Sequence, residues 1–585
     1  MKTLECKQIT KGLPPILTEN DTVSIDLELT GLKEEQIHRP AGRLASIACS
    51  FDGESAFICF EEDEVPEFLN RISKATWIFH NSVFDILHLR RWATVPERKN
   101  MRDTMLIEKL LYSNYYNNGE FSLADLVRRY LKCYMPKEIR KEFIDLEGAM
   151  TKEQIEYACL DVIGTWLVDK EQQKVAEPRD KLLWDSMYNP HVWTALELGG
   201  FPLDSDAWTD LAEKNQAIID KAEMELGKKY GHMEKQMVGR GKAKHEEDVF
   251  VPFNPSSPEQ VKALFKLQGL DVESTGDKEV AKYRDEYPIV ATILDYRIAY
   301  KRVSTYGLSY LKYVEPDGKV YTSLNISQAE TGRDSSSAPP IQNILKDEDY
   351  RKCFIAGKGR KLSIYDYSGQ EANLFAFITQ DTKLIEIINS GKKLYIEIAK
   401  IAFNETVKKG SARYKVIKAL VLGLMYGLTT YGFSRDNEVD METAEKMFNK
   451  FFEAFPISAR WIKDQQSHNR EVTYTILGRK GHLHPYDHQW KTNALNNPMQ
   501  GSGADMVKLA MKAIRHTDLY KKYYPTGDLC IVMQVHDEII LNCAESISNE
   551  VAEMHSKCMN DVANSIHPGI ISRVEGGICD NWSEK

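Results

Sequence analysis

The sequence predicts a multidomain protein of α/β and α+β class, in which an N-terminal α/β unit precedes a longer α+β body. Three observations predict it. A chain of 585 residues is too long for one hydrophobic core and divides into three or four packed units. Residues 22–60 read as strands ("TVSIDLEL", "RLASIACSFDG", "ESAFICF"), then give way to helical periodicity around one apolar strand, "TWIFHN", as far as about residue 174. Further on, two β-rich stretches, "RKLSIYDYSG" (360–369) and "LCIVMQVHDEIILNC" (529–543), enclose long helical patterns between residues 371 and 470.

Composition excludes little beyond membranes and disulfide scaffolds. No run approaches the ~18 apolar residues needed to cross a bilayer, and the opening "MKTLECKQITKGL" lacks a signal or transit pattern. Ten cysteines without a C-x-x-C pair point to reduced thiols and a cytoplasmic setting. A net charge of −10 does not argue against a nucleic-acid partner, because a groove needs only local positive potential.

Within the first unit, Asp26 and Glu28 alternate on the strand "SIDLEL" and leave it on one face. Asn81 and Asp85 stand four residues apart in "HNSVFD", at a helix start. Tyr157 and Asp161 repeat that spacing in "YACLD". Four carboxylates from three elements suit two divalent metals about 4 Å apart, with Tyr157 orienting an attacking water. Residues 204–310 are mostly helical and charged, interrupted by the basic, glycine-containing stretch 227–247.

In the second body, Asp366 ends the apolar strand "KLSIY", and Asp537 and Glu538 occupy the turn of a hairpin in "MQVHDEII". Two strand-borne aspartates facing each other suit two-metal phosphoryl transfer. Between them, "GSARYKVIKALVLGLMYGL" reads as a helix capped by Ser411. Tyr414, Lys418, Leu422 and Tyr426 share one face, which offers a cation for phosphate and an aromatic ring for a base. In "GHLHPYDH" (481–488), His482, His484, Asp487 and His488 offer zinc ligands, but Pro485, Gly478 and Gly481 read as a loop.

The order D-x-E, N-x-x-x-D, Y-x-x-x-D across residues 20–170 resembles the DEDDy class of 3′–5′ exonucleases. The resemblance makes Asp26, Glu28, Asp85 and Asp161 metal ligands, Tyr157 the water-positioning group and Leu32 an apolar wedge against a terminal base. Further along, "TGRDSS…PPIQNI" (331–344), "DYSGQE" (366–371), "K-x-x-x-L-G-x-x-Y-G" (418–427), "NNPMQGSGADMVKLAM" (496–511) and "QVHDE" (534–538) resemble, in order and spacing, the DNA polymerase I-like family, family A. "ILDYRIAYKRVSTY" (293–306) and "GGICDNW" (576–582) match as well. It looks like the phage-type branch, without a 5′-nuclease domain.

The resemblance implies an RNase H-like exonuclease domain over 1–175 and a right-hand polymerase domain over 176–585. The thumb would span about 205–310, the palm about 311–370 and 490–585, and the fingers about 371–489. Substrates would be primer-template DNA and deoxynucleoside triphosphates, with two Mg²⁺ per site (Mn²⁺ as a substitute) and a helicase-primase or processivity factor as partner. Asp366 and Asp537 would bind metal and Glu538 would support them. Lys418 would contact the triphosphate, Tyr426 and Gly427 would border the base, and Glu371 would crowd the sugar 2′ position. Lys301, Thr305, Tyr306, Arg333, Gln342, Asn343, Asn496, Gln500 and His536 would contact DNA.

Several positions depart from the family pattern. Tyr414 stands where the family has Arg, which leaves Arg413 or Lys415 to reach the γ-phosphate; the planar fork favours Arg413. A triphosphate-binding His is replaced, with Tyr395 and Lys393 as substitutes. Leu422 takes a place usually held by Phe or Tyr, and Asn373 replaces an Arg.

Overall fold

The computed structural model describes residues 2–32, 39–115, 120–136, 138–238, 245–467, 470–484 and 489–585. In the N-terminal unit, β1 (Gln8–Lys11), β2 (Thr22–Thr30), β3 (Arg43–Ser50), β4 (Ser55–Cys59), β5 (Thr76–Phe79) and β6 (Met101–Asp103) form one sheet. The spatial order is β1-β4-β3-β2-β5-β6. Apolar positions of β2, among them Val23, Ile25 and Leu27, point into a core shared with Trp77, Phe79 and Trp193. That alternation leaves Asp26 and Glu28 on the opposite face. Helix α1 (Ser82–Leu89) follows β5, and α2 (Thr104–Leu111) follows β6. The long α3 (Lys152–Val175) begins with a reciprocal cap between Thr151 and Gln154, which satisfies two otherwise orphaned amides. It lies across β2, tied there by Ser24 Oγ donating to Val162 O at 2.6 Å.

Helix α4 (Asn189–Leu196) packs against the first core. Beyond it, α5 (Ser205–Tyr230) and α6 (Pro288–Tyr306) pair through Ile219, Ala222, Tyr296 and Ala299. The basic stretch between them folds as an antiparallel hairpin of β7 (His232–Val238) and β8 (His245–Val251). Residues 239–244, between its two strands in sequence, lie outside the described residues.

The second sheet consists of β9 (Arg360–Tyr367), then β12 (Leu529–Val535), β13 (Glu538–Ala544) and β14 (Val574–Cys579), in the order β12-β13-β9-β14, all antiparallel. The helical block between β9 and β12 includes α7 (Gln370–Thr379), α8 (Leu394–Phe403) and α9 (Ala412–Met425). A hairpin, β10 (Val472–Tyr474) with β11 (Lys480–His482), leads on to α10 (Ser502–Arg515). Helix α11 (Ser548–Ile566) supports the sheet from behind, where its His555 Nδ1 meets Ser363 Oγ at 3.1 Å. The sequence reading missed β14, whose two glycines obscure strand periodicity. Gly576 needs to be glycine, because a Cβ there would lie 1.9 Å from Ile364 O.

Candidate active sites

The first site gathers on the sheet face left polar by β2. Ligand oxygens of Asp26, Glu28 and Asp161 lie within 4.8 Å of one another. Asp85, in the first turn of α1, is 3% exposed, and its Oδ1 accepts from Leu27 N at 3.1 Å. Burial, and then the neighbouring Asp26, push its carboxyl well above the ordinary carboxylate range. The start of α1 is fixed by Asp103, whose carboxylate accepts from Ser82 N at 2.6 Å and Ser82 Oγ at 2.7 Å. The other oxygen of Asp103 caps α2 through Leu106 N. Tyr157, one turn before Asp161 on α3, lines the same cavity of about 710 Å³, as does Leu32. All-oxygen donors of this kind fit Mg²⁺ or Mn²⁺, and the crowding that raises Asp85 is charge a divalent cation would relieve.

The second site lies where β9 meets the β12–β13 turn. Asp366 is directly opposite Glu538 in the register, which holds their Cα atoms about 5 Å apart. Asp537 stands in the turn, beside His536 at φ 59°, and Tyr367 N donates to Asp537 O at 3.4 Å. Burial first, and then Asp366, raise the Asp537 carboxyl to about 6. Glu538 accepts from Trp582 Nε1 at 2.7 Å. The Lys585 ammonium sits 2.6 Å from Glu538 Oε2 and 2.7 Å from Asp366 Oδ2. The sequence reading missed Lys585, whose one signal is a cation three residues after the tryptophan of "GGICDNW". Asp366 and Asp537 are again hard oxygen donors crowded by like charge, which fits the same divalent cations.

Next to these carboxylates, Gly369 turns the chain at φ 64° and starts α7, placing Glu371 in its first turn. Arg333 Nη2 lies 3.4 Å from Glu371 Oε1. Helix α9 starts as expected, with Ser411 Oγ accepting from Tyr414 N at 3.2 Å. It ends at Met425, so Tyr426 is the capping residue and not a member of the helical face. Burial, and then Glu371, raise the Tyr426 hydroxyl well above its usual range, with Gln500 and Arg333 also beside it. Gly427 follows at φ 75°. Lys418 is exposed and lies 5.8 Å from the ring centre of Tyr395, whose edge meets Tyr414. Leu422 is half-buried, and Lys393 and Lys415 are exposed.

Two of the expected contact residues are engaged within the protein itself. Arg413 is half-buried at the start of α9. Its fork makes a bidentate pair with Glu405, both bonds at 2.7 Å, because the chain entering α9 carries that carboxylate alongside the helix start. Tyr306 is not a surface contact. It is 6% exposed within an aromatic cluster with Trp208 and Tyr350, and its hydroxyl donates to Asn343 O at 2.6 Å. Lys301, Thr305, Asn343 and His536 are exposed; Gln342, Asn496 and Gln500 are half-buried. Gln342 is held by its Nε2 donating to Gln534 O at 2.9 Å. Asp487 and His488 lie outside the described residues, while His482 and His484 hydrogen-bond to the carbonyls of Leu111 and Tyr115.

The model of DNA polymerase family A matches residues 217–584, and the 3′–5′ exonuclease model matches residues 3–175. DNA polymerase I of Aquifex aeolicus is 26% identical over 91% of this chain and 92% of that protein. DNA polymerase I of Pseudomonas aeruginosa is 26% identical over 97% of this chain, which spans 64% of it. The thermostable DNA polymerase I of Thermus aquaticus is 30% identical over 58% of this chain, a match covering 43% of its own length. The solved POL domain of Pol1 from M. smegmatis, in complex with DNA primer-template and dNTP, shares the fold. It has a TM-score of 0.77 at 22% identity and covers 98% of this chain and 99% of that one. Matched by its family model over more than half its length, and by an exonuclease model before that, the chain belongs to DNA polymerase family A.

Proposed function

We propose that this protein is a DNA-directed DNA polymerase that edits its own product, extending a primer 3′ end on a template and removing mispaired ends at a separate 3′–5′ exonuclease site. The observation that carries the reading is the pairing of Asp366 with Glu538 across two strands, with Asp537 in the adjoining turn. Paired Mg²⁺ or Mn²⁺ held by Asp366 and Asp537 would activate the primer hydroxyl and neutralise the departing pyrophosphate. The chain's own groups do the rest. Lys418, exposed on α9, meets the triphosphate; Tyr426 stacks on the incoming base; Glu371 fills the space a ribose 2′-hydroxyl would need. Gln342, Asn496 and Gln500 read acceptors common to all correct pairs in the minor groove. In the first site, Asp26, Glu28, Asp85 and Asp161 hold the metals and Tyr157 orients the water. The finer role we infer is replication of a phage genome, which rests on the likeness of the ordered motifs to the phage-type branch.

Primer extension with Mg²⁺ on matched and mismatched ends tests the whole reading. Template-coded products should vanish in Asp537→Ala, whereas trimming of a single-stranded 3′ end should vanish in Asp26→Ala alone. Template-independent or undiminished products from Asp537→Ala would end it.

A further inference from the structure

The exonuclease half grips the loop that delivers Arg333. Lys109, 7% exposed near the end of α2, donates to Ile326 O at 3.2 Å and to Gln328 Oε1 at 3.0 Å. Ser113 Oγ donates to Glu330 O at 2.9 Å. The same short segment clasps β11: His482 N donates to Ser113 O at 2.8 Å, Asn114 Nδ2 donates to His482 O at 2.9 Å, and the His482 ring stacks on Tyr112. The polymerase half holds the loop from the other side. Arg479, fully buried and paired with Asp505, donates to Thr331 O at 2.6 Å. Lys508 donates to Gly332 O at 2.6 Å and pairs with Asp334, which His191 also contacts at 2.7 Å.

Three consecutive carbonyls, those of residues 330, 331 and 332, therefore each accept from a different element, and Arg333 comes next. Pinning the backbone on both sides leaves the arginine few conformations from which to meet Glu371. The first pin belongs to the exonuclease half. We propose that Ser113, with Lys109, is a positioning residue for the polymerase site, fixing loop 326–334 so that Arg333 stands against Glu371. Docking of the exonuclease half thereby tightens nucleotide selection, independently of editing. The same helix that Asp103 caps beside Asp85 thus supports the substrate loop of the other site. This rests on the polymerase reading of Asp366 and Asp537.

The test uses the full chain carrying Asp26→Ala, so that editing is silent, with Ser113→Ala, Ser113→Thr or Lys109→Met added. Single-nucleotide insertion is measured for matched and mismatched nucleotides, with KM and kcat resolved and melting temperature recorded. Ser113→Ala should raise the matched-nucleotide KM about fivefold, the effect of losing one buried hydrogen bond, and lower the matched-to-mismatched ratio with little change in kcat. Ser113→Thr, which keeps the hydroxyl, should restore both. Lys109→Met should act in the same direction. The proposal is overturned if Ser113→Ala keeps the parent's KM and selectivity, or if kcat simply falls with the folded fraction and threonine restores nothing. A parent that extends no primer sinks the polymerase reading along with this proposal; a competent parent indistinguishable from its variants sinks this proposal alone.

Discussion

His555 makes the sheet that carries Asp366 sensitive to acid, and the size of the effect follows from burial. The imidazole is wholly buried on α11 against β9, with Nδ1 on Ser363 Oγ and its ring at the edge of Tyr365. Burial lowers its pKa from 6.5 to about 3. The unfolded chain therefore takes up a proton on acidification before the folded one does, so stability present above pH 6.5 is lost as pH falls towards 3. Between pH 7 and pH 5 that single group costs about 2 kcal/mol, at about 1.4 kcal/mol per pH unit below the unfolded pKa. His555→Gln keeps a hydrogen-bonding group for Ser363 without a group that titrates there. Urea unfolding followed by tryptophan fluorescence should place the variant about 1–2 kcal/mol below the parent at pH 7. At pH 5 the difference should shrink to near zero or reverse. His88, lowered to about 4 by burial in the other unit, titrates in both proteins and cancels from the comparison. A parent-minus-variant difference that is the same at both pH values would refute the reasoning.

Three further outcomes are expected. Glu405→Gln frees the Arg413 fork from its bidentate partner, so the KM for deoxynucleoside triphosphates should fall in steady-state extension; because the pair is half-exposed, stability should change by about 1 kcal/mol or less. Gly332→Ala should cost about 3 kcal/mol or more in chemical denaturation and weaken extension, since φ is +80° and the new Cβ would meet the Arg479 guanidinium at 2.5 Å, disturbing its buried pair with Asp505. Lys585→Met removes a positive charge from between Asp366 and Glu538, so calorimetric titration with Mg²⁺ or Mn²⁺ should show tighter binding than in the parent, as like-charge repulsion requires.

Much of the local layout of the site is legible in the sequence. Asp26 and Glu28 share a strand face because alternation has a period of two, and Ser411 caps α9 because a hydroxyl there satisfies an orphaned amide. The hairpin turn at Asp537 was readable for the same local reason. The partners of Arg413 and Tyr306 were not legible, because an arginine's reach and a tyrosine's burial depend on residues distant in sequence or in an adjoining loop. "GHLHPYDH" read as a loop that offers ligand types, since sequence shows residue types but not what they face. His482 and His484 face backbone carbonyls of the exonuclease half.

By itself, then, the sequence determined the local grammar: which carboxylates lie on strands, which helices begin where, and which ordered motifs mark family A. Tertiary structure alone decided which of those groups meet. The register of β9 against β13 puts Asp366 beside Glu538, Lys585 arrives from beyond β14, and three elements remote in sequence hold the carbonyls of residues 330–332. Backbone periodicity acts over a few residues and can be read along the chain. Contact between segments hundreds of residues apart is set by how whole faces pack, and no short window of sequence carries it.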